Sequence, residues 1–156
     1  MRVGLGFDAH AFTTDRPLVL GGVTVPGSPG LAGHSDADVV SHALADALLG
    51  AAGLGDLGER FPTTARWRDA SSLEILARTA AMLSEAGRDV VNVDVTVIAQ
   101  SPRLGPHREE MAASVAHALG VETSVVSVKA TTTDALGFTG RGEGIAALAV
   151  ALVDAT

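Results

Sequence analysis

Two hydrophobic rhythms run along this chain, one of period two and one near 3.6. Residues 2–8 read as a strand, and "PLVLGGVTVP" (17–26) sets two short apolar runs about Gly21-Gly22, the signal of a small two-residue hairpin near the N-terminus. Residues 27–33 read as loop. From Asp38 onward Val39, Val40, Ala43, Leu44, Ala47, Leu48 and Ala51 recur at helical spacing, which predicts a helix over 38–52, and Ser35 with Asp38 has the S-x-x-D form of a capping box with Ser35 as N-cap. Residues 53–68 are turn-rich, a long segment of the kind that often carries function. Ser71 and Glu74 make a second capping box ahead of a helix that closes on Gly87.

Val93, Val95 and Val97 then alternate with Asn92, Asp94 and Thr96 as a half-buried strand. Pro106–Leu119 starts on proline, stops at Gly120 and carries Met111, Val115, Ala118 and Leu119 on one face, so it reads as a helix. "SVVSVKATTT" (124–133) alternates again. The run Ile145–Val153 has the alanine content of a helix but strict alternation of Leu148, Val150 and Leu152 with Ala147, Ala149 and Ala151. Strand is the reading adopted, because the helices need a sheet to cover. No repeat, linker or low-complexity segment intervenes, which predicts a single α+β domain over residues 1–156, with helices packed on one face of a mixed β-sheet.

Composition narrows the chemistry. A chain of 156 residues buries ~68–70% of its unfolded surface, and with 47% hydrophobic but only 3% aromatic residues its core must be built from Val, Leu, Ile and Ala. Eleven Lys and Arg against eighteen Asp and Glu give a net charge of −7, which argues against nucleic acid as a partner. A phosphorylated ligand must therefore be met by local groups. The absence of cysteine excludes disulfides and thiolate metal sites. Neither a signal-peptide pattern nor an apolar run of membrane-spanning length is visible, so the expected compartment is the cytoplasm, with no membrane partner.

His10, His34 and His42 fall early in the chain beside Asp8, Asp36 and Asp38. Asp8 and His10 point to one side of a strand, and His42 lies at the margin of a helical apolar stripe, so two packed elements can bring the three together. One carboxylate and two imidazoles suit Zn²⁺ or a related divalent ion with an open position. Spacing alone leaves a plainer alternative open, a strand-end hydrogen-bonded pair and an unrelated helix-margin histidine. Asp46, one turn after His42, either orients that imidazole or makes an ordinary helix-surface contact. In "GHSDAD" (33–38), His34 and Ser35 sit at the mouth of the first helix, where backbone N–H groups favour anions. In "KATTTD" (129–134) three hydroxyls stand between Lys129 and Asp134. With Lys129 and Arg141 they supply phosphate contacts that an acidic chain otherwise lacks. "GRGEG" matches neither G-x-G-x-x-G nor a Walker A loop.

In this order the segments "RVGLGFDAHAF", "LGGVTVP", "GHSDADVVSHALADALLGAAGLGDLGERFP", "NVDVTVIAQSP" and "VKATTTDALGFTGRGEGIAALAVAL" resemble the 2-C-methyl-D-erythritol 2,4-cyclodiphosphate synthases of the non-mevalonate isoprenoid pathway, along the whole chain. The resemblance implies a homotrimer with its sheets around the threefold axis, active sites between neighbouring subunits, and conversion of 4-diphosphocytidyl-2-C-methyl-D-erythritol 2-phosphate to the cyclic diphosphate with release of CMP. Carried over by position, Asp8, His10 and His42 would hold one Zn²⁺-type ion per site, and Asp134 would help hold Mg²⁺ or Mn²⁺ with the substrate diphosphate. His34 and Thr132 match the positions that stabilise the transition state, with Ser35 beside the substrate. Asp56, Leu57, Gly58 and Phe61 match the segment lining the methylerythritol. Ala99, Gln100, Ser101, Pro102, Arg103, Leu104 and Gly105, together with Ala130, Thr131, Thr132 and Thr133, match those that receive the cytidine diphosphate, largely from the adjacent subunit. Phe138 and Arg141 match further binding positions.

This chain departs from the family pattern in reading "FPTTA" (61–65) for the common "FPDTD", in a following segment one residue shorter, and in having Asp134 for Glu, Arg103 for Lys, Ala37 for Gly, and Gly105 for a larger apolar residue. No substrate contact is therefore carried onto Thr63–Ala65. Two other readings use the same residues: a metal-dependent phosphohydrolase activating water, and a non-catalytic trimer with a structural metal that binds isoprenoid diphosphate in a channel on its axis.

Overall fold

The computed structural model describes residues Met1–Thr156. Strands β1 (Arg2–Leu20), β2 (Val23–Leu31), β3 (Arg88–Ile98), β4 (Val126–Thr131) and β5 (Gly144–Ala155) form one sheet in the order β2-β1-β5-β3-β4. Only β3 and β4 run parallel, so the sheet is mixed. The helices α1 (Val39–Ala52), α3 (Ser72–Glu85) and α4 (Arg108–Leu119) cover one side, with the single turns α2 (Leu57–Arg60) and α5 (Gly137–Gly140) in the connections. The ambiguous last run is the central strand β5, whose Ala147, Ala149 and Ala151 are fully buried beneath α1.

β1 is far longer than residues 2–8. It pairs with β5 through residues 2–11 and bends across a register shift near Pro17 to pair with β2. Its turn uses Gly21 and Gly22 at φ 56° and 74°, the left-handed pair a tight hairpin needs. The expected loop at residues 27–33 is instead strand as far as Leu31, with Phe12 opposite Leu31 and Thr13 opposite Gly30. Pro26 and Pro29 are tolerated there because β2 is an edge strand, where a missing N–H leaves no partner unsatisfied.

Both predicted capping boxes are replaced by aspartates. The N-cap of α1 is Asp38, not Ser35: Asp38 Oδ1 accepts from the amides of Val40 and Ser41, at 3.1 and 3.2 Å. The same carboxylate takes the amides of Gly21 and Gly22 at 2.9 and 2.8 Å, fastening the hairpin to the helix. Burial, with Asp36 close by, pushes the Asp38 carboxyl up against the pull of these donors. Ser71 makes no side-chain cap on α3, and the Ser72 amide is met by Asp36 instead, at 2.9 Å. Pro106 falls in a 3₁₀ turn ahead of α4, which starts at Arg108.

The core lies between sheet and helices. α1 is apolar nearly all round and is correspondingly buried on almost every side, against β1, β5 and α3. Gly4 and Gly6 set how close it comes: a Cβ on either would lie 1.9 or 2.0 Å from the carbonyl oxygens of Ala47 and Ala43. The opposite face of the sheet carries no helix. There Val3, Leu5 and Phe7 remain 69, 65 and 56% exposed, with Leu148 and Val150 beside them in register.

Candidate active site

The close approach of α1 to β1 builds the site. Period-two geometry points Asp8 and His10 toward α1, and His42 on its first turn meets them. Asp8 Oδ2 lies 3.0 Å from His10 Nε2 and 3.1 Å from His42 Nδ1, and the three ligand atoms fall within 4.8 Å of one another. A tetrahedron with arms of about 2.0–2.1 Å has edges of about 3.3–3.4 Å, so the donor set fits a divalent ion after small relaxations.

The outer hydrogen bonds point the same way. His10 Nδ1 lies 2.6 Å from the Ala32 carbonyl, which can only accept, so that nitrogen carries the proton and Nε2 is left with a lone pair. His42 turns its Nε2 to the hydroxyls of Ser35 and Ser72, at 3.1 and 2.9 Å. With Nε2 donating there, the facing atoms of Asp8, His10 and His42 would offer a cation three lone pairs in place of the hydrogens that the imidazoles share with Asp8 in its absence. Burial pushes the Asp8 carboxyl up, but hydrogen bonds and charge from His10 and His42 outweigh it and bring the group down to about 2. Burial likewise pulls His10 down, and the Asp8 carboxylate wins by raising it.

These ligands open into a cavity of about 240 Å³, lined also by His34, Ser35, Leu57, Gly58 and Phe61. Thr63, to which no contact was carried, lines it too, as do Trp67 and Ile75. Trp67, the only tryptophan, lies edge-on to Phe61 with centroids 5.0 Å apart, and the Arg66 and Arg78 guanidinium groups stand 5.0 and 5.4 Å from its centroid. A lone tryptophan in a chain so poor in aromatics was the available signal. His34 reaches the same loop through Nε2, 2.7 Å from the Thr64 carbonyl.

A second hollow of about 130 Å³ is lined by Ala99, Gln100, Pro102, Arg103, Leu104, Ala130, Thr131 and Thr132. Thr131 pairs with Ile98, Ile98 with Ala146, and the neighbouring Ile145 with His10. Both hollows therefore open at one end of the sheet, three strand spacings or ~14 Å apart. The Gln100 side chain accepts from the Ala135 amide at 3.1 Å, tying the two loops of the second hollow together.

Other expected residues lie elsewhere. Ser101 and Gly105 flank the second hollow without lining it. Asp56 caps α2 by accepting from the Glu59 amide at 2.8 Å. Asp46 does not orient His42, because its carboxylate accepts from the Leu57 amide at 3.0 Å. Lys129 is not a free phosphate contact, since it pairs with Asp94 across β3 and β4, and Arg141 pairs with Glu143 at 2.8 Å. Thr133 bonds the Leu136 carbonyl and Thr139. Asp134, at φ 50°, accepts from the Thr132 hydroxyl at 3.2 Å. Phe138 borders a third hollow with Ala9, His10, Ala11, Glu143 and Gly144.

Comparison with known proteins agrees with this geometry. The YgbB family model matches residues 1–154. A 2-C-methyl-D-erythritol 2,4-cyclodiphosphate synthase of Pelotomaculum thermopropionicum is 57% identical over 157 residues, covering 100% of this chain and 97% of the relative. Among solved structures, the bifunctional IspDF of Campylobacter jejuni superposes with a TM-score of 0.95 at 44% identity, over 99% of this chain and 42% of that one. A CDP complex of IspF from Plasmodium falciparum gives 0.87 at 31% identity, over 99 and 96%.

Proposed function

We propose, on the premise that this chain belongs to the YgbB family, that it converts 4-diphosphocytidyl-2-C-methyl-D-erythritol 2-phosphate to 2-C-methyl-D-erythritol 2,4-cyclodiphosphate and CMP, the activity for which its full-length relatives are named. The observation that carries the reading is the gathering of Asp8, His10 and His42 with His34 and Ser35 at one cavity. In the reaction an oxygen of the 2-phosphate attacks the β-phosphorus. The bond from that phosphorus to the bridging oxygen breaks, and CMP departs with the bridging oxygen. The nucleophile is already anionic, so the site needs positioning and charge neutralisation more than a strong base.

Asp8, His10 and His42 would hold a Zn²⁺-type ion, and Asp134 would help hold a Mg²⁺ or Mn²⁺; such ions would supply Lewis-acid stabilisation of charge on phosphoryl oxygens. His34 donates Nε2–H to the Thr64 carbonyl, which holds its ring at the cavity where charge develops. Phe61, Leu57 and Gly58 give the methylerythritol an apolar wall. The second hollow receives the cytidine diphosphate, with Thr132 lining it and holding Asp134 through its hydroxyl.

The exposed apolar face supports the trimer: Leu5 stands opposite Val150 and Phe7 opposite Leu148 on a surface that neighbouring copies of the chain would bury. Assembly around that face brings the metal half of one subunit to the cytidine half of the next. Leu5→Asp should therefore give a folded monomer by sedimentation, with turnover reduced at least ~100-fold by loss of the shared sites; a fully active monomer would refute the shared-site arrangement. No helix is long and apolar enough to cross a membrane.

The deciding assay incubates the protein with the diphosphocytidyl substrate and Zn²⁺ plus Mg²⁺ or Mn²⁺. One CMP released per cyclic diphosphate is the expected result. Linear phosphate products would favour a hydrolase, and full metal occupancy without CMP release would overturn the synthase.

A further inference from the structure

The geometry points to Asp36 and Ser72 as positioning residues for the metal centre, a carboxylate and hydroxyl relay that fixes which nitrogen of His42 faces the ion. The inference rests on the reading of Asp8, His10 and His42 as metal ligands. Neither Asp36 nor Ser72 lines the cavity. Ser72 is wholly buried and comes from the start of α3, whereas Asp36 comes from the loop before α1.

Hydrogen counting gives the relay its direction. Asp36 accepts both the amide and the hydroxyl of Ser72, through Oδ2 and Oδ1 respectively. A carboxylate can only accept, so the Ser72 hydroxyl proton is committed to Asp36. What Ser72 Oγ then offers His42 Nε2, 2.9 Å away, is a lone pair. Nε2 must carry the proton, which leaves Nδ1, 3.1 Å from Asp8 Oδ2, as the nitrogen available to ligate. This opposes what the pair would choose alone, because a neutral His42 without the relay would donate Nδ1–H to the Asp8 carboxylate and block the ligand position. Ser35 contributes differently. Its oxygen accepts from the Ala37 amide at 3.3 Å and lies 3.1 Å from Nε2, and its own proton is free for a ligand in the cavity that it lines. The two serines beside one imidazole thus have separate duties, Ser72 setting the tautomer and Ser35 facing the substrate.

The test uses the full chain labelled with ¹⁵N-histidine, metal-free at pH 8, together with zinc affinity from chelator competition. In the unaltered protein His42 Nε2 should show the shift of a protonated nitrogen. Ser72→Ala and Asp36→Asn should each populate an unprotonated Nε2 and weaken zinc binding by ~10- to 100-fold, the usual effect of removing a ligand's hydrogen-bond partner. Ser35→Ala should leave both readouts within about threefold of the original on that same scale, whatever it does to turnover. Should Ser72→Ala not fold, Asp36→Asn decides, since asparagine keeps an acceptor for the Ser72 amide. An unprotonated Nε2 in the unaltered protein, unchanged readouts in the folded variants, or an equal loss in Ser35→Ala would each overturn the relay. None of these readouts uses turnover, so a failed cyclase assay would leave the relay standing, and a failed relay would leave the cyclase reading intact.

Discussion

His42→Ala is expected to bind no zinc after dialysis and to lose turnover by ~10³-fold or more, while unfolding as cooperatively as the unaltered chain. The activity loss follows from the several kcal/mol that a Lewis-acidic ion contributes to phosphoryl transfer, about 4 kcal/mol being equivalent to ~10³ in rate. Two remaining ligands, Asp8 and His10, leave a site with too few donors to hold the ion at submicromolar concentration. The fold survives because His42 borders an open cavity and water can enter the space vacated. The expected stability cost is about 1–2 kcal/mol, within the ordinary range for a point substitution. Metal content by atomic spectroscopy, CMP release and a thermal melt check the three parts separately. Zinc retained at one ion per chain would show that His42 is not a ligand.

Gly6→Ala should cost more stability than any substitution at the site, at least ~3–4 kcal/mol, the upper range for a single residue. Its added Cβ would meet the Ala43 carbonyl oxygen at 2.0 Å and the Ala47 amide nitrogen at 2.7 Å, both backbone atoms of α1 that no rotamer change can move aside. Removing a glycine stabilises by restricting the unfolded chain, but only by about 0.4–1 kcal/mol, so the clash decides the sign. The relief available is to lift α1 from β1. That movement separates His42 from Asp8, and the variant should also bind zinc more weakly than Gly50→Ala, a helical glycine of α1 whose Cβ would meet nothing within 4 Å. Chemical denaturation and chelator competition measure the two effects. A Gly6→Ala protein of unchanged stability would mean that the strand and helix are not held as close as described.

How much of this is legible in the sequence depends on the range of the interaction. The Asp8-x-His10 spacing and the helical stripe with His42 at its margin are local patterns that allow a triad, but spacing alone equally allows a hydrogen-bonded pair and an unrelated histidine, and only the family resemblance singles out the three as ligands. The helix caps are less readable, because the orphan amides of a helix start can donate to any nearby carboxylate. Asp36 reaches Ser72 across 36 residues, and Asp38 outcompetes Ser35 by serving the hairpin as well. Asp46 has the right spacing to orient His42, yet the orphan amide of Leu57 at the start of α2 claims it. Residues 27–31 look like a loop because proline and glycine are weak strand formers. Their pairing depends on lying at an edge, a property of the whole sheet. Trp67 becomes part of the cavity only when the segment after Phe61 folds back over Ile75.

The place of β5 bears on how such a chain is made. The last twelve-residue strand lies between β1 and β3. While a ribosome still holds that segment, the earlier sequence can fold only as two partial sheets, β2 with β1 and β3 with β4, each with an open edge where β5 belongs. The pieces are joined by pairings that link the chain's two ends, Arg2 with Val153 among them. Such long-range closure is slow relative to local folding. Until β5 emerges and pairs, the two half-built edges are therefore most exposed to pairing with the wrong chain.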